Sequence, residues 1–318
     1  MVDHKLLLEK LHLIVLDQNA VKWVYSYLSK GSQSVCVDGC LSPPLPIECC
    51  MPRGSILGPL FYVMFKSDIP DLEHDHQEEY QSQDTFCQDC ESTVCYVDDC
   101  TYSHGDKDLV VLSSSLSDQY KRISTYMAAN KLVINADKTH LVVMGTKATA
   151  GRRAKVYLEA DGHIIHPSRT ERLLGGHISE DLKWREHVLC SDQSLVRQST
   201  SRINGLVKVA QRTSYSTRLM IANGSFVSKL CYLIQLWGGT EGYLLNSLQV
   251  LQNREARAVT GLSWFTPTRQ LLKQCKWLSV RQLVFYQTVL GTHKIVTAVK
   301  PLHLRRKFNI NFHYINYH

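Results

Sequence analysis

The stretch Val94-Cys95-Tyr96-Val97-Asp98-Asp99-Cys100-Thr101-Tyr102-Ser103 decides how this chain is read. A short apolar run ends in two adjacent acidic residues, and a second β-prone run follows at once. The pattern predicts a strand, a tight turn carrying both carboxylates, and a return strand. Taken alone, an Asp-Asp pair is an ordinary solvated hairpin tip, because Asp side chains bond their own backbone in turns. The flanking sequence decides between that reading and a chemical one.

Two adjacent carboxylates on a turn suit hard Mg²⁺, which takes oxygen ligands and bridges protein to substrate phosphates. In two-metal phosphoryl transfer the ions lie roughly 3.5–4 Å apart, so carboxylates must come from more than one place. Upstream of the pair lies Met51-Pro52-Arg53-Gly54-Ser55-Ile56-Leu57-Gly58-Pro59-Leu60, followed by Phe61-Tyr62-Val63-Met64-Phe65. Gly54 lets backbone approach a nucleotide or template sugar without a Cβ, and Ser55 adds a small hydroxyl. A plain glycine turn before a buried helix is the alternative. Downstream lies Asn130-Lys131-Leu132-Val133-Ile134-Asn135-Ala136-Asp137-Lys138-Thr139, running into Leu141-Val142-Val143-Met144-Gly145.

In order and spacing these three blocks resemble the reverse transcriptases of non-LTR (LINE-type) retrotransposons. That family carries a Pro-Gln-Gly-Ser-x-Leu-Gly-Pro block, a Tyr/Phe-x-Asp-Asp hairpin and an Asn-x-x-Lys-Thr segment. The resemblance continues through Glu171-Arg172-Leu173-Leu174-Gly175-Gly176-His177-Ile178, Gln235-Leu236-Trp237-Gly238-Gly239 and Trp277-Leu278-Ser279-Val280-Arg281. It covers nearly the whole chain.

The resemblance implies an RNA-directed DNA polymerase acting on an RNA template, a DNA primer and deoxynucleotides. It implies that Asp98 and Asp99 hold Mg²⁺ (or Mn²⁺), and that Gly54, Ser55, Tyr96 and Arg53 face the nucleotide or template. Lys138 is similar to a family lysine placed near the departing pyrophosphate, where a cation or general acid helps; a solvated turn lysine is the alternative. Two departures matter. The family's first metal-binding aspartate is followed by a segment like Val2-Asp3-His4-Lys5-Leu6-Leu7, so it is expected before Met1, and Asp3 is not that ligand. Arg53 stands where the family usually has Gln, either a tolerated extra cation or a mark of sequence decay.

Composition agrees with this reading without suggesting it. A chain of 318 residues can hold two or more packed units, and a net charge of +7 favours an acidic partner such as nucleic acid. No signal peptide is evident, and no window reaches the roughly 18–20 apolar residues of a membrane span. The 11 cysteines are read as reduced thiols of an intracellular protein, in nucleus or cytoplasm.

The fold class expected is α+β: a polymerase palm sheet with packed helices over residues 1–176, fingers largely missing, then a mainly helical thumb and C-terminal region over 177–318. Residues 5–28 read as helical with Asn19 as a cap, 58–69 as a buried helix, and 106–129 as a long helix with Asp106 or Asp108 at its start. Strands are expected at 34–37, 133–134 and 141–144, and a hairpin over 155–165.

Residues 71–93 form a polar insertion containing His74, His76, Cys87 and Cys90, ligand types that suit Zn²⁺, against the alternative of a surface loop. Arg197, Arg202, Lys208 and Arg212 are candidate backbone contacts for primer–template. Trp237, Trp264 and Trp277 are read as core. Two other functions stand beside the polymerase, which is itself expected to be inactive as this fragment: a non-catalytic nucleic-acid-binding relic, and a zinc-containing interaction module.

Overall fold

In the computed structural model the described residues are 2–14, 17–29, 31–47, 49, 51, 54–69, 92–146 and 150–297. Arg53, the four candidate zinc ligands and the basic Arg305-Arg306-Lys307 cluster lie outside them. Backbone packing divides the chain into two units, Met1–Ser168 and Arg169–His318. The class is mixed helix and strand, as expected, but the strands form small hairpins. Among the described residues every sheet is two-stranded, so no strand has two partners.

The first unit opens with α1 (His4–Leu13) and α2 (Gln18–Ser29). Asp3 caps α1, accepting from the amides of Lys5 and Leu6 at 3.0 and 3.1 Å. Asn19, expected as a cap, lies inside the first turn of α2; the backbone of Asp17 precedes it and accepts from Val21. Strands β1 (Ser32–Gln33) to β4 (Leu45–Pro46) nest two small hairpins, with β2 (Cys36–Val37) and β3 (Cys40–Leu41) innermost.

Helix α3 (Leu57–Phe65) buries Phe61 and Phe65 against Leu7 and Leu11 of α1 and Val24 and Leu28 of α2. A partly buried cation reinforces this junction. Lys10 Nζ donates to the Phe65 carbonyl at 2.8 Å and lies 2.9 Å from an Asp68 oxygen and 2.7 Å from the Tyr126 hydroxyl. A partly buried ammonium with a carboxylate, a carbonyl and two aromatic faces is well compensated for lost water.

Strands β5 (Ser92–Tyr96) and β6 (Asp99–Ser103) form the acidic hairpin. Helix α4 (Leu109–Ala129) follows, capped by Asp108, whose carboxylate accepts from Val110 at 2.8 Å. A one-turn helix α5 (Ala150–Arg153) precedes β7 (Leu158–Ala160) and β8 (His163–Ile165). Helix and strand spacings match along α4. Ser113 and Ser117, one turn apart, accept from the amides of Tyr157 and Glu159, two strand residues apart, at 3.4 and 3.2 Å. Four helical residues rise about 6 Å and two strand residues about 6.7 Å, so the helix serves as a partner for the edge of β7.

The expected strands at 133–134 and 141–144 are not regular strands. Residues 141–144 keep the strand-like alternation, with Leu141 and Val143 buried and Met144 exposed. The Leu141 carbonyl, however, accepts only from Ser168, through its amide at 2.9 Å and its hydroxyl at 3.1 Å. The sequence pattern records burial on one side. A ladder also needs a paired neighbour, and none lies among the described residues.

The second unit begins with a hairpin of β9 (Thr170–Leu173) and β10 (Gly176–Ser179) and is helical thereafter. Helix α6 (Leu195–Val209) is followed by α7 (Tyr215–Ala222), the short α8 (Ser228–Cys231) and α9 (Ile234–Trp237), then α10 (Gly242–Thr260), α11 (Thr268–Cys275) and α12 (Val280–Thr297). Trp237, Phe226, Leu230, Ile234, Leu244, Leu248 and Val280 are fully or almost fully buried together. Gly238 is required by this packing, since a Cβ there would fall 2.4 Å from the Ile234 carbonyl oxygen and 2.7 Å from Val284 Cγ1. Trp277 packs against the neighbouring cluster around Val259 and Leu271. Trp264 does not meet the core expectation: it is 70% exposed, with the Arg257 guanidinium 4.5 Å from its ring centre.

Candidate active site

The acidic hairpin is built as its sequence predicts, with one refinement. Tyr96 pairs with Asp99, so the turn itself is Val97-Asp98 and Asp99 is the first residue of the return strand. Both carboxylates belong to exposed residues. Along β5, Thr93 and Cys95 are half-buried while Val94 and Tyr96 are exposed, so one face of the hairpin is covered.

The turn chemistry is unusual. Hairpin turns of two residues favour Gly, Asn or Asp where φ is positive. The hairpins at Asp38-Gly39 and Asp161-Gly162 follow that rule, with positive φ at both residues. Here Val97, a β-branched residue, takes φ of 55°. Such a conformation costs on the order of 1–3 kcal/mol and persists only where surroundings hold it. Part of the hold is visible. Lys66, one residue past α3 and 5% exposed, donates from Nζ to the Val97 carbonyl at 3.4 Å. The same nitrogen lies 3.2 Å from Cys100 Sγ. Burial alone would lower the Lys66 pKa, but the Cys100 sulfur and its neighbours leave it raised.

Gly54 has φ of 80°, with nothing near the place a Cβ would occupy. Conformation therefore calls for glycine here, and the space beside it is open. Ser55 Oγ accepts from the Gly58 amide at 2.8 Å, closing the first turn of α3. The Ser55 hydroxyl thus has a local structural role. Ser55 precedes α3 and Lys66 follows it; nine residues at 1.5 Å each separate the two ends by about 14 Å. Lys138 is exposed at the end of a 3₁₀ turn, Ala136–Lys138, with its amide donating to Asn135 at 3.1 Å.

Asp3 is occupied elsewhere. Besides capping α1 it pairs with Lys131 Nζ at 2.6 Å, and that hydrogen bond is the main reason its pKa is lowered. Among the described residues no three or more His, Cys, Asp or Glu side chains are grouped to hold a metal. The donors at the turn nevertheless fit Mg²⁺, which is commonly held by one or two carboxylates together with water and substrate phosphates. Asp98 and Asp99 would be those carboxylates.

The basic residues of α6 do not share one face. At about 100° per residue, Arg197 and Lys208 project about 20° apart and Arg202 about 140° from Arg197. Arg197 pairs with Asp192, and Arg202 donates to the Ser225 carbonyl. Two buried groups of the second unit escaped the sequence reading. Glu255 is fully buried on α10 with neither carboxylate oxygen hydrogen-bonded, and burial pushes its pKa up to about 7. His187 is buried, accepts from the His177 amide at 3.4 Å, and is pushed down to about 4, mainly by burial. Neither stands in a motif, so only packing reveals them. No helix among the described residues is long and apolar enough to cross a membrane.

An exposed strand–turn–strand with paired carboxylates thus lies downstream of a glycine turn at the start of a buried helix. Residues 1–184, more than half of the chain, match the family model "Reverse transcriptase (RNA-dependent DNA polymerase)", and the chain belongs to that family. It is similar to the RNA-directed DNA polymerase from mobile element jockey of Drosophila melanogaster, 25% identical over 253 residues, 80% of this chain and 26% of the relative. The jockey polymerase of Drosophila funebris is 25% identical over 258 residues, 81% of this chain and 27% of the relative. A probable polymerase from transposon X-element of Drosophila melanogaster is 24% identical over 257 residues, 80% and 26%. The kinship to non-LTR reverse transcriptases read from the motifs is borne out. The chain spans about a quarter of the length of these relatives. No solved structure matches it.

Proposed function

We propose that this chain carries the catalytic hairpin of an RNA-directed DNA polymerase of a mobile element. Asp98 and Asp99 hold a divalent cation, Mg²⁺ or Mn²⁺, which when bound supplies charge stabilisation at the nucleotide phosphates. The observation that carries the reading is the hairpin: Tyr96 paired with Asp99, and Asp98 exposed at the tip of a strained turn, in a chain of the reverse transcriptase family. The strain fixes the backbone direction at the tip, so the carboxylates are aimed before substrate arrives.

The remaining roles follow from place and chemistry. Tyr96 presents its ring beside the tip, on the same exposed hairpin. The open space at Gly54 and the cationic side chain of Arg53 suit a nucleotide or template strand. Ser55 acts by shaping the start of α3, and exposed Lys138 is free to reach a departing pyrophosphate. Residues 1–176 are assigned to the palm, and 177–318 to the thumb and C-terminal region. The substrates are an RNA template, a DNA primer and deoxynucleotides.

Metal occupancy tests the hairpin directly. With the chain loaded with Fe²⁺ and treated with ascorbate, locally generated hydroxyl radicals should cut the backbone around residues 96–99. Excess Mg²⁺ and the Asp98→Asn/Asp99→Asn double variant should each suppress the cut. Cleavage that is unchanged in the double variant removes the assignment.

A further inference from the structure

Beside the acidic tip lies a pair of sulfurs for which the polymerase reading has no use. Cys95 and Cys100 are directly opposite across β5 and β6, immediately behind the Tyr96–Asp99 pair that closes the turn. Their Sγ atoms are 3.1 Å apart. In a two-residue hairpin the closing pair exchanges hydrogen bonds and the next pair does not, and at such sites Cα atoms approach to about 4.5 Å. That separation lies within the range a disulfide spans, so closing the bond needs the sulfurs to move by about 1 Å without backbone rearrangement.

The surroundings favour reaction over inert burial. Cys100 is exposed and Cys95 half-buried. Lys66 Nζ lies 3.2 Å from Cys100 Sγ, so the two sulfurs and the lysine nitrogen form one cluster at the base of the turn. Cys100 is the more exposed residue of the two, and Cys95 stands opposite it as the resolving partner.

We propose that Cys95 and Cys100 are an oxidisable dithiol, a modification site for small-molecule disulfides, which closes to a cross-strand disulfide at the base of the acidic turn. Cys100 Sγ attacks one sulfur of the small disulfide and expels the other as a thiolate, leaving a mixed disulfide. Cys95 Sγ then attacks the Cys100 sulfur and expels the second thiolate. The two protons of the protein thiols pass to the two leaving thiolates, so one small disulfide is reduced to two thiols as the protein pair is oxidised. The bond would fix the register of the hairpin that carries Asp98 and Asp99, making the tip responsive to thiol redox state.

The test uses the full chain and glutathione disulfide. After treatment and blocking with iodoacetamide, digestion with a protease cutting before aspartate separates Cys95 from Cys100 by cleavage at Asp98 and Asp99. An unreduced digest should contain a species joining the two peptides, removed by dithiothreitol. Because Cys90 shares a peptide with Cys95, the link must persist in Cys90→Ser and vanish in Cys95→Ser and in Cys100→Ser. Complete alkylation of both cysteines after treatment, or a link that survives Cys95→Ser, overturns the proposal. None of these outcomes depends on polymerase activity, so the site stands or falls apart from the catalytic reading.

Discussion

Lys66 and Val97 are joined by a 3.4 Å contact from ammonium to carbonyl that ties the end of α3 to the apex of the acidic hairpin. The lysine is buried, and its partner is the one residue of this acidic hairpin with positive φ. A cation at the end of a buried helix thus helps hold the strained backbone on which the carboxylates are displayed.

Replacing that lysine tests the tie. Lys66→Ala should lower the unfolding free energy of the chain by about 1.5 kcal/mol, the lower end for a hydrogen bond to a charged group, because the contact is long. Hydrogen exchange should show faster opening of the amides of residues 95–100 at constant protection in α4. Equal protection of the hairpin in wild type and variant would mean that Lys66 does not hold it.

Val97 predicts an effect of unusual sign. Gly in a strand or turn normally loses stability through unfolded-state entropy. At Val97 the relief of a left-handed conformation, about 1–2 kcal/mol, should offset that loss. Val97→Gly is therefore expected to be neutral or stabilising by up to about 1 kcal/mol in urea denaturation. A loss of more than about 1 kcal/mol would show that no strain is stored there.

Glu255 sets a pH dependence. Its folded pKa, about 7, lies above the ordinary carboxylate value of 4.5, so the folded state binds the proton more tightly than the unfolded one. Stability is then fully present below pH 4.5 and declines as pH rises toward 7, by roughly 3 kcal/mol in all. Glu255→Gln should flatten this limb of the stability profile. A wild-type profile that is flat or rising over that window, once other titrations are matched by the variant, contradicts the burial of an unpaired carboxylate.

His187 acts in the opposite direction. Its folded pKa of about 4 lies below the ordinary 6.5, so stability is present above 6.5 and lost as pH falls toward 4. In His187→Phe the acid limb should be shallower, and a limb as steep as in the wild type would place the proton uptake elsewhere.

Much of the site could be read from residue order because turns announce themselves locally. Tyr96 to Cys100 gave strand, turn and strand, and Asp161-Gly162 gave a hairpin, because β-prone runs flanked residues suited to tight turns. Asp108 gave a helix start because capping is a local event. The tertiary partners were not legible. Leu141 and Val143 carry a strand pattern without a ladder, Asn19 falls inside α2, which already starts at Gln18, and Trp264 lies on the surface beside Arg257. Lys66, Ser113 and Glu255 sit in no motif, and their importance arises only when distant segments meet. Arg53, His74, His76, Cys87 and Cys90 lie outside the described residues.

Primer extension reads out the role assigned to Asp98 and Asp99. In a chimera where this chain replaces the matched stretch of the jockey polymerase, the assay is extension of a DNA primer on a homopolymer RNA template with Mg²⁺ or Mn²⁺. Expected are extension by the chimera and a fall of about 10³-fold in Asp98→Asn, since loss of a positioned metal costs several kcal/mol and each 1.4 kcal/mol is about tenfold. Asp98→Asn extending at the rate of the unsubstituted chimera would contradict the account, as would a folded, primer-binding chimera that extends nothing.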